Sequence, residues 1–434
     1  MDVFARDLPI YRLNLDECVR LAMQNNEEIK AASYDISLYL AKKIEATKRY
    51  VPVIKYKYQL APVPQDINNP LSSFFGGEIT ALNSIKIEAG VPISTFGRLT
   101  VAKMLADIGI DAADLQVHKK ADEVALTIHK LYNGILLARE LRGLANQALD
   151  AVVGKIGELE KDDNTDQLEI LKLKVILYEI DKKLDEATVK ETMAITALKV
   201  QMGLEDDVDF NIIDRGLRLT AFKVKSYEDF LAVSKTTRPE FQLLDYAVQA
   251  KSLKIELEKK EYLPKLGAGA LFEYAITPNV RGDETENSLT NPLNYTRGGI
   301  GLELSGELDF RKIKARVEEA KADELKMIAQ KRAGNRGLEI DLKQSYLELQ
   351  QYRNLLNRAN EEKKAARQIV FLTKSNLDIG LGEKKDYLDA LQSYLVFEGR
   401  SYEAIFNYNV AVATLKQKMG IILRENFIAP HKVK

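Results

Sequence analysis

Tyr50-Val51-Pro52, with the run Val53-Ile54-Lys55-Tyr56-Lys57-Tyr58-Gln59-Leu60 behind it, returns as Tyr262-Leu263-Pro264 ahead of a second alternating run. Upstream, Glu28, Ile29 and Tyr34 recur at the same displacement as Glu240, Phe241 and Tyr246. Downstream, Ala197-Leu198-Lys199-Val200-Gln201-Met202-Gly203 is echoed at nearly that displacement by Thr414-Leu415-Lys416-Gln417-Lys418-Met419-Gly420. A unit of about 210 residues is therefore written twice, with the first repeat at 1-225 and the second at 226-434. Short periods of 20 to 50 residues build solenoids, whereas two long copies build equivalent halves about a pseudo-symmetry axis.

Proline maps the elements, because it costs about 3 kcal/mol inside a helix. Eight of the eleven prolines fall between Pro52 and Pro92 or between Pro264 and Pro292, and none lies between Pro92 and Pro239 or between Pro292 and Pro430. Each half thus reads as helix, short non-helical insert, long helices. The first helix opens at Asn14, a cap with Glu17 three residues on, and Asn25-Asn26 is a place for it to break. After each Tyr-x-Pro the apolar period changes from 3.6 to 2, the strand signature. Ile54, Tyr56, Tyr58 and Leu60 alternate with Lys55, Lys57 and Gln59, and Ile85, Ile87, Ala89 and Val91 alternate with Ser84, Lys86 and Glu88. The same holds for Leu266 to Ile276 and for Ile300 to Leu304. The expectation is a hairpin at about 51-93 and another at about 263-308, each joined by a turn-rich loop.

Long helices follow at 99-203 and 312-420, each bending once: at Lys161 to Asp166 in the first half and at Leu377 to Glu383 in the second. On the last helix Tyr387, Leu391, Tyr394, Glu398, Ser401, Ile405, Tyr408, Val412, Leu415 and Met419 step four and three residues apart, a coiled-coil seam apolar except at two places.

With 29% charged residues and a formal net charge of -1, the chain lacks the basic face that nucleic acid requires. Its one cysteine, Cys18, sits in an amphipathic stretch and reads as a small buried hydrophobe. No apolar run approaches the roughly 20 residues that a spanning helix takes, so none is expected. The start at Met1 shows no signal peptide. His118 and His129, eleven residues apart on one helix, are too distant for one metal, and no phosphate loop, nucleophile elbow or zinc motif is present. The reading is of a non-enzyme without cofactor or metal.

Four strands, each with a polar and an apolar face and long enough to cross a bilayer obliquely, cannot close a barrel, which needs about eight. Open sheet edges are intolerable in lipid, so several chains must share one sheet, and three would give twelve strands. Lys55, Lys57, Lys86, Glu88, Glu273 and Glu303 would then line the barrel lumen.

From Leu13-Asn14-Leu15-Asp16-Glu17-Cys18-Val19-Arg20-Leu21-Ala22 to Leu415-Lys416-Gln417-Lys418-Met419-Gly420 the chain resembles the TolC-like outer-membrane efflux proteins of Gram-negative bacteria. The best short match is Gly380-Leu381-Gly382-Glu383-Lys384-Lys385-Asp386-Tyr387-Leu388-Asp389-Ala390, similar to the family's glycine turn and Asp-x-Leu-Asp-Ala helix start. The resemblance implies a mainly helical fold with β, in which a homotrimer forms a twelve-stranded outer-membrane β-barrel continuous with a periplasmic α-helical barrel. It implies a passive export duct, partnered by a periplasmic adaptor and an inner-membrane transporter, that expels drugs, metals or other substrates. Carried over by motif, Asp386 and Asp389 form a gate or selectivity ring at the periplasmic entrance. The turns at Asp162, Asp163, Asp166, Gly380, Gly382, Lys384 and Lys385 become tips that contact the adaptor. Where the family's turn has an arginine this one has Gly382, Glu383 and Lys384, and pairing of Lys384 or Lys385 with the acids of the other turn is the expected closing contact. The alternative is a soluble, elongated coiled-coil scaffold whose hairpins pair with another protein's sheet.

Overall fold

The computed structural model describes residues 11–48, 51–161, 167–205, 207–281, 293–307 and 309–423. The chain is mainly helical, and its elements run in a repeated order. In the first half these are β1 (Tyr11–Leu13), α1 (Leu15–Asn25), α2 (Glu27–Thr47), β2 (Val53–Pro64), α3 (Pro70–Phe75), β3 (Ile79–Ser94), α4 (Arg98–Leu159) and α5 (Gln167–Gln201). β4 (Phe210–Ile212) follows near the end of the first repeat, and the second half has α6 (Tyr227–Thr237), α7 (Pro239–Lys259), β5 (Lys265–Ile276), β6 (Tyr295–Ser305), α8 (Phe310–Asp378) and α9 (Lys384–Lys418). Three short elements escape the sequence reading. Residues Pro70–Phe75 form a helical turn with proline at its start, where the missing N–H costs nothing, and β1 pairs in parallel with β4 over three residues.

The chain folds into two compact units, and each takes residues from both halves of the sequence. One comprises Met1–Tyr34, Ala113–Leu244 and Arg332–Lys434; the other comprises Asp35–Ala112 and Asp245–Lys331.

The first unit is a helical body with two apolar cores. Cys18 and Ala22 of α1, Ile128, Tyr132 and Ile135 of α4, and Leu198 and Met202 of α5 build one. Phe230 of α6, Leu342, Leu349 and Leu356 of α8, and Val412, Leu415 and Met419 of α9 build the other. Asn14 caps α1 as its sequence asks: its side chain accepts from Glu17 N–H while the Glu17 carboxylate accepts from Asn14 N–H. The Cys18 thiol is fully buried, and burial, with Glu17 beside it, pushes its pKa up to about 12, which leaves it an inert hydrophobe.

Both long-helix pairs end alike. At Gly203 (φ 63°) and Gly420 (φ 67°) the backbone turns left-handed. Leu204 N–H returns to Lys199 O at 3.2 Å and Ile421 N–H to Lys416 O at 3.0 Å, the Schellman closure that satisfies last-turn carbonyls. Each glycine lies against a helix break, Gly203 on Asn25 between α1 and α2, and Gly420 on Thr237 and Arg238 between α6 and α7. The polar group at these breaks differs between halves. Asn26 donates to Gln201 O at 2.9 Å and accepts from Glu28 N–H and Ile29 N–H. Its counterpart in the second repeat, Arg238, is a buried guanidinium that donates to Asp341 at 2.8 Å and lies 3.3 Å from Glu240. A buried charge is tolerable only when partnered this way.

The C-terminal part of the α9 seam, Tyr408, Val412, Leu415 and Met419, is buried with Leu342, Leu349 and Leu356 of α8, which recur every seven residues. The seam's two polar positions face polar groups one heptad further on. Glu398 takes Lys363 at 2.8 Å, and Ser401 donates to Asn360 at 3.3 Å.

His129 on α4 is half-buried, and burial, helped by Lys416, lowers its pKa to about 4. Its folded pKa lies below the unfolded value of about 6.5, so the stability it supports is complete above pH 6.5 and drains away as pH falls toward 4. At about 1.4 kcal/mol per unit, at most about 3 kcal/mol is at stake. Urea midpoints measured at pH 7 and pH 4.5 should fall across that window in the native protein and less steeply in His129→Asn; parallel slopes would remove His129 as the cause.

Candidate functional site

The second unit carries the sheet. Its order is β2-β3-β5-β6 with every pair antiparallel, so two hairpins are joined through β3 and β5. Register fixes the faces, because residues paired across an antiparallel ladder point to the same side. Lys55 pairs with Glu88 and Lys57 with Lys86; Lys86 pairs with Glu273, Glu273 with Arg297, and Glu303 with Gly267. The six residues expected to line the lumen therefore share one face. Lys265 and Arg297, which the sequence reading missed, complete it: all eight charged residues of the four strands are on this side. Within it Lys86 bridges Glu88 at 2.8 Å and Glu273 at 3.0 Å, and the Arg297 guanidinium lies 4.2 Å from the Tyr295 ring centre. Alternation in β6 could have disclosed Arg297, since it is six residues before Glu303; the glycines between hid the period.

The opposite face is apolar and exposed. Tyr56 is 82% exposed, Ile300 91% and Leu302 74%, with Ile54, Tyr58, Leu60 and Leu304 beside them. Scattered apolar residues need no explanation, but a charge-free face of this extent, on strands of 11 to 16 residues, is a surface built for another apolar medium. Both edge strands, β2 and β6, present unpaired backbone along their outer sides, which soluble proteins normally blunt. Among the described residues no helix is long and apolar enough to cross a membrane.

The turn between α8 and α9 belongs to the helical unit. α8 ends at Asp378, and Gly380 (φ 77°) closes it: its N–H reaches Leu377 O at 3.1 Å, and Leu381 N–H reaches Asn376 O at 2.9 Å. Glu383 precedes α9 in extended geometry, and Asp386 lies in the first turn, where a carboxylate is favoured by the helix dipole. Asp389 follows one turn later on the same side. Both are exposed, and among the described residues neither has an ion-pair partner. Lys385 is exposed. Asp162, Asp163 and Asp166 lie outside the described residues, as does the side chain of Lys384, and the expected closing contact lies there with them. Ile379 and Leu381 stand bare at the turn. Among the described residues no cluster of His, Cys, Asp and Glu could hold a metal; His118 lies 3.6 Å from Asp114 on its own helix.

Comparison with known proteins agrees with this geometry. Residues 233–420 match the profile of the outer membrane efflux protein family. No curated protein sequence matches the chain. Solved structures do: the open-state MtrE outer membrane channel of Neisseria gonorrhoeae (14% identity, 94% of this chain and 89% of that one, TM-score 0.74) and the CmeC outer membrane channel of Campylobacter jejuni (14%, 97% and 91%, 0.73). The outer membrane protein VceC of Vibrio cholerae is a third (13%, 94% and 96%, 0.69). Residues 233–420 thus carry the sequence profile of outer membrane efflux proteins, and nearly the whole chain shares the fold of these solved outer-membrane channels.

Proposed function

We propose that three copies of this chain join edge to edge, β6 of one beside β2 of the next, into a twelve-stranded barrel in the outer membrane, and that their helices continue it as a periplasmic tunnel. The duct is passive. An inner-membrane transporter, reached through an adaptor at the exposed turns, supplies energy. The two sequence repeats act as the alternating staves of this assembly. The observation that carries the reading is the division of the sheet, with eight charges on one face and none on the other, together with two bare edges of opposite direction. A scaffold in water has no use for an uncharged sheet face of that size, and a lone sheet cannot sit in lipid with its edges open.

On this reading Asp386 and Asp389 form two carboxylate rings about the threefold axis at the entrance. Clustered acids bind cations and resist anions. In planar bilayers the trimer should conduct, and hexaamminecobalt(III) on the entrance side should block it. Asp386→Asn with Asp389→Asn should weaken that block about tenfold, as expected when a charged ring is neutralised. Equal block in both proteins would remove the gate assignment, and a monomer that stays in the soluble fraction without detergent would remove the duct.

A further inference from the structure

The junctions between sheet and helices have a composition that neither the lumen nor the entrance turn uses, and all of them lie in the sheet-bearing unit. β3, β5 and β6 reach their helix ends level, with Ser94 beside Leu266 and Leu266 beside Leu304. Just past that row the chain exposes Phe96, Tyr262, Leu263 and Phe310, and Tyr262 stacks on Phe310 with ring centres 6.2 Å apart. Phe96 does so from a left-handed backbone (φ 47°), which a bulky residue adopts only where its surroundings hold it. On the helix side of these rings comes a belt of cations. Residues 42–48, 95–107, 254–264 and 306–316, the parts of α2, α4, α7 and α8 nearest the sheet with their links to it, hold twelve Lys and Arg against seven Asp and Glu. The whole chain carries -1, so everything outside the belt is net acidic. Lys43 pairs with Asp107 at 2.7 Å, Lys312 with Glu307 at 2.7 Å and Arg98 with Glu261, yet a surplus of five stands even when every carboxylate of the belt is paired. Further along the same helices the signs alternate as on any solvated face, Lys251 meeting Asp323 and Lys321 meeting Glu318. At the loop end of the sheet the described residues Asp66, Glu78 and Arg281 show no such excess.

We propose that this rim binds the anionic headgroups of the phospholipid leaflet on the helix side of the membrane. The inference rests on the duct reading and adds to it a lipid partner. Exposed aromatic rings mark the level at which a barrel leaves the hydrocarbon. Long basic side chains just past that level reach phosphates while their stems lie along apolar surface. Clusters of Lys and Arg beside a membrane-embedded segment recognise anionic lipid by charge, and three copies bring a surplus of fifteen to one circumference, five from each chain. The belt thereby fixes the depth of the duct against loads applied through the helices.

The test uses the full chain reconstituted in phosphatidylcholine vesicles, with electron paramagnetic resonance of spin-labelled phosphatidylglycerol and spin-labelled phosphatidylcholine reporting which lipid the protein retains. Native protein should prefer phosphatidylglycerol about fivefold, the gain from one surface cation per headgroup, and 1 M NaCl should shrink that preference. Lys48→Gln, Lys259→Gln, Arg311→Gln and Lys314→Gln, combined at four exposed positions, should bring it close to one. The matched variant Lys48→Arg, Lys259→Arg, Arg311→Lys and Lys314→Arg keeps the charge and should behave like the native protein, which guards against a folding artefact. A trimer that inserts but holds both lipids equally, or that prefers phosphatidylglycerol equally with and without these charges, overturns the site and leaves the duct standing. A chain that does not insert at all overturns both.

Discussion

Leu302→Arg is expected to abolish accumulation of trimer in the outer membrane, while Glu303→Arg, one residue on, leaves trimer yield within about twofold of native. Both sites are exposed on the edge strand β6, and both substitutions install the same guanidinium. They differ in which face receives it. Glu303 shares its face with the other strand charges, where water would solvate an arginine. Leu302 is 74% exposed on the face without charge. An arginine on the lipid face of a membrane barrel costs about 2–4 kcal/mol near the midplane, hence about 6–12 kcal/mol over three copies. That exceeds what most assemblies have to spare. Heat-modifiability on gels and fractionation of outer membranes measure the outcome. If Leu302→Arg assembles as well as Glu303→Arg, the apolar face does not meet lipid.

Gly420→Ala should be among the most damaging single-methyl changes in the helical body, costing about 3 kcal/mol or more. Two penalties add. The residue sits at φ 67°, where an alanine pays about 1–2 kcal/mol. Its new Cβ would also lie 2.7 Å from Thr237 O and 2.8 Å from Arg238 Cα, backbone atoms that cannot step aside as a flexible side chain could. Gly203→Ala should behave likewise, since its Cβ would lie 2.4 Å from Asn25 O. Gly380 provides the control: at φ 77° it has nothing within 4 Å, so Gly380→Ala should cost only the dihedral penalty of about 1–2 kcal/mol. Thermal melts in detergent followed by circular dichroism should rank Gly420→Ala and Gly203→Ala well below Gly380→Ala. Equal losses in all three would mean that the packing of both repeat ends onto the helix breaks contributes nothing.

Much of this architecture is legible in the residues themselves. The Asn14 cap, the break at Asn25-Asn26, both hairpins and the α9 seam are written in local patterns with periods of 2, 3.5 and 3.6, and local patterns survive into the fold. Three things could not be read that way. The β1 and β4 strands are three residues each, too short to show a period. The helical turn Pro70–Phe75 lies in a loop whose proline and asparagines signal turns of any kind. The belt of cations at the helix junctions depends on how the ends of β3, β5 and β6 are brought level by pairing between segments far apart in sequence, and faces can be read from alternation where rows cannot. The same reason explains why the compact units cut across the repeats: the hairpin inserts of both halves, with the helix ends that lead into and out of them, join each other.

That joining sets a timetable for biogenesis. β3 finds its inner neighbour only when β5 exists, and most of a repeat separates Ser94 from Lys265. At about 5–20 residues per second the ribosome needs roughly 10–30 s to supply that stretch. Throughout that interval the first hairpin, greasy on one side and open along its backbone, has no native companion. Escorting chaperones would therefore matter most during synthesis of the middle of the chain, and slowing translation there would raise the burden of misfolded precursor before any of it reached a membrane.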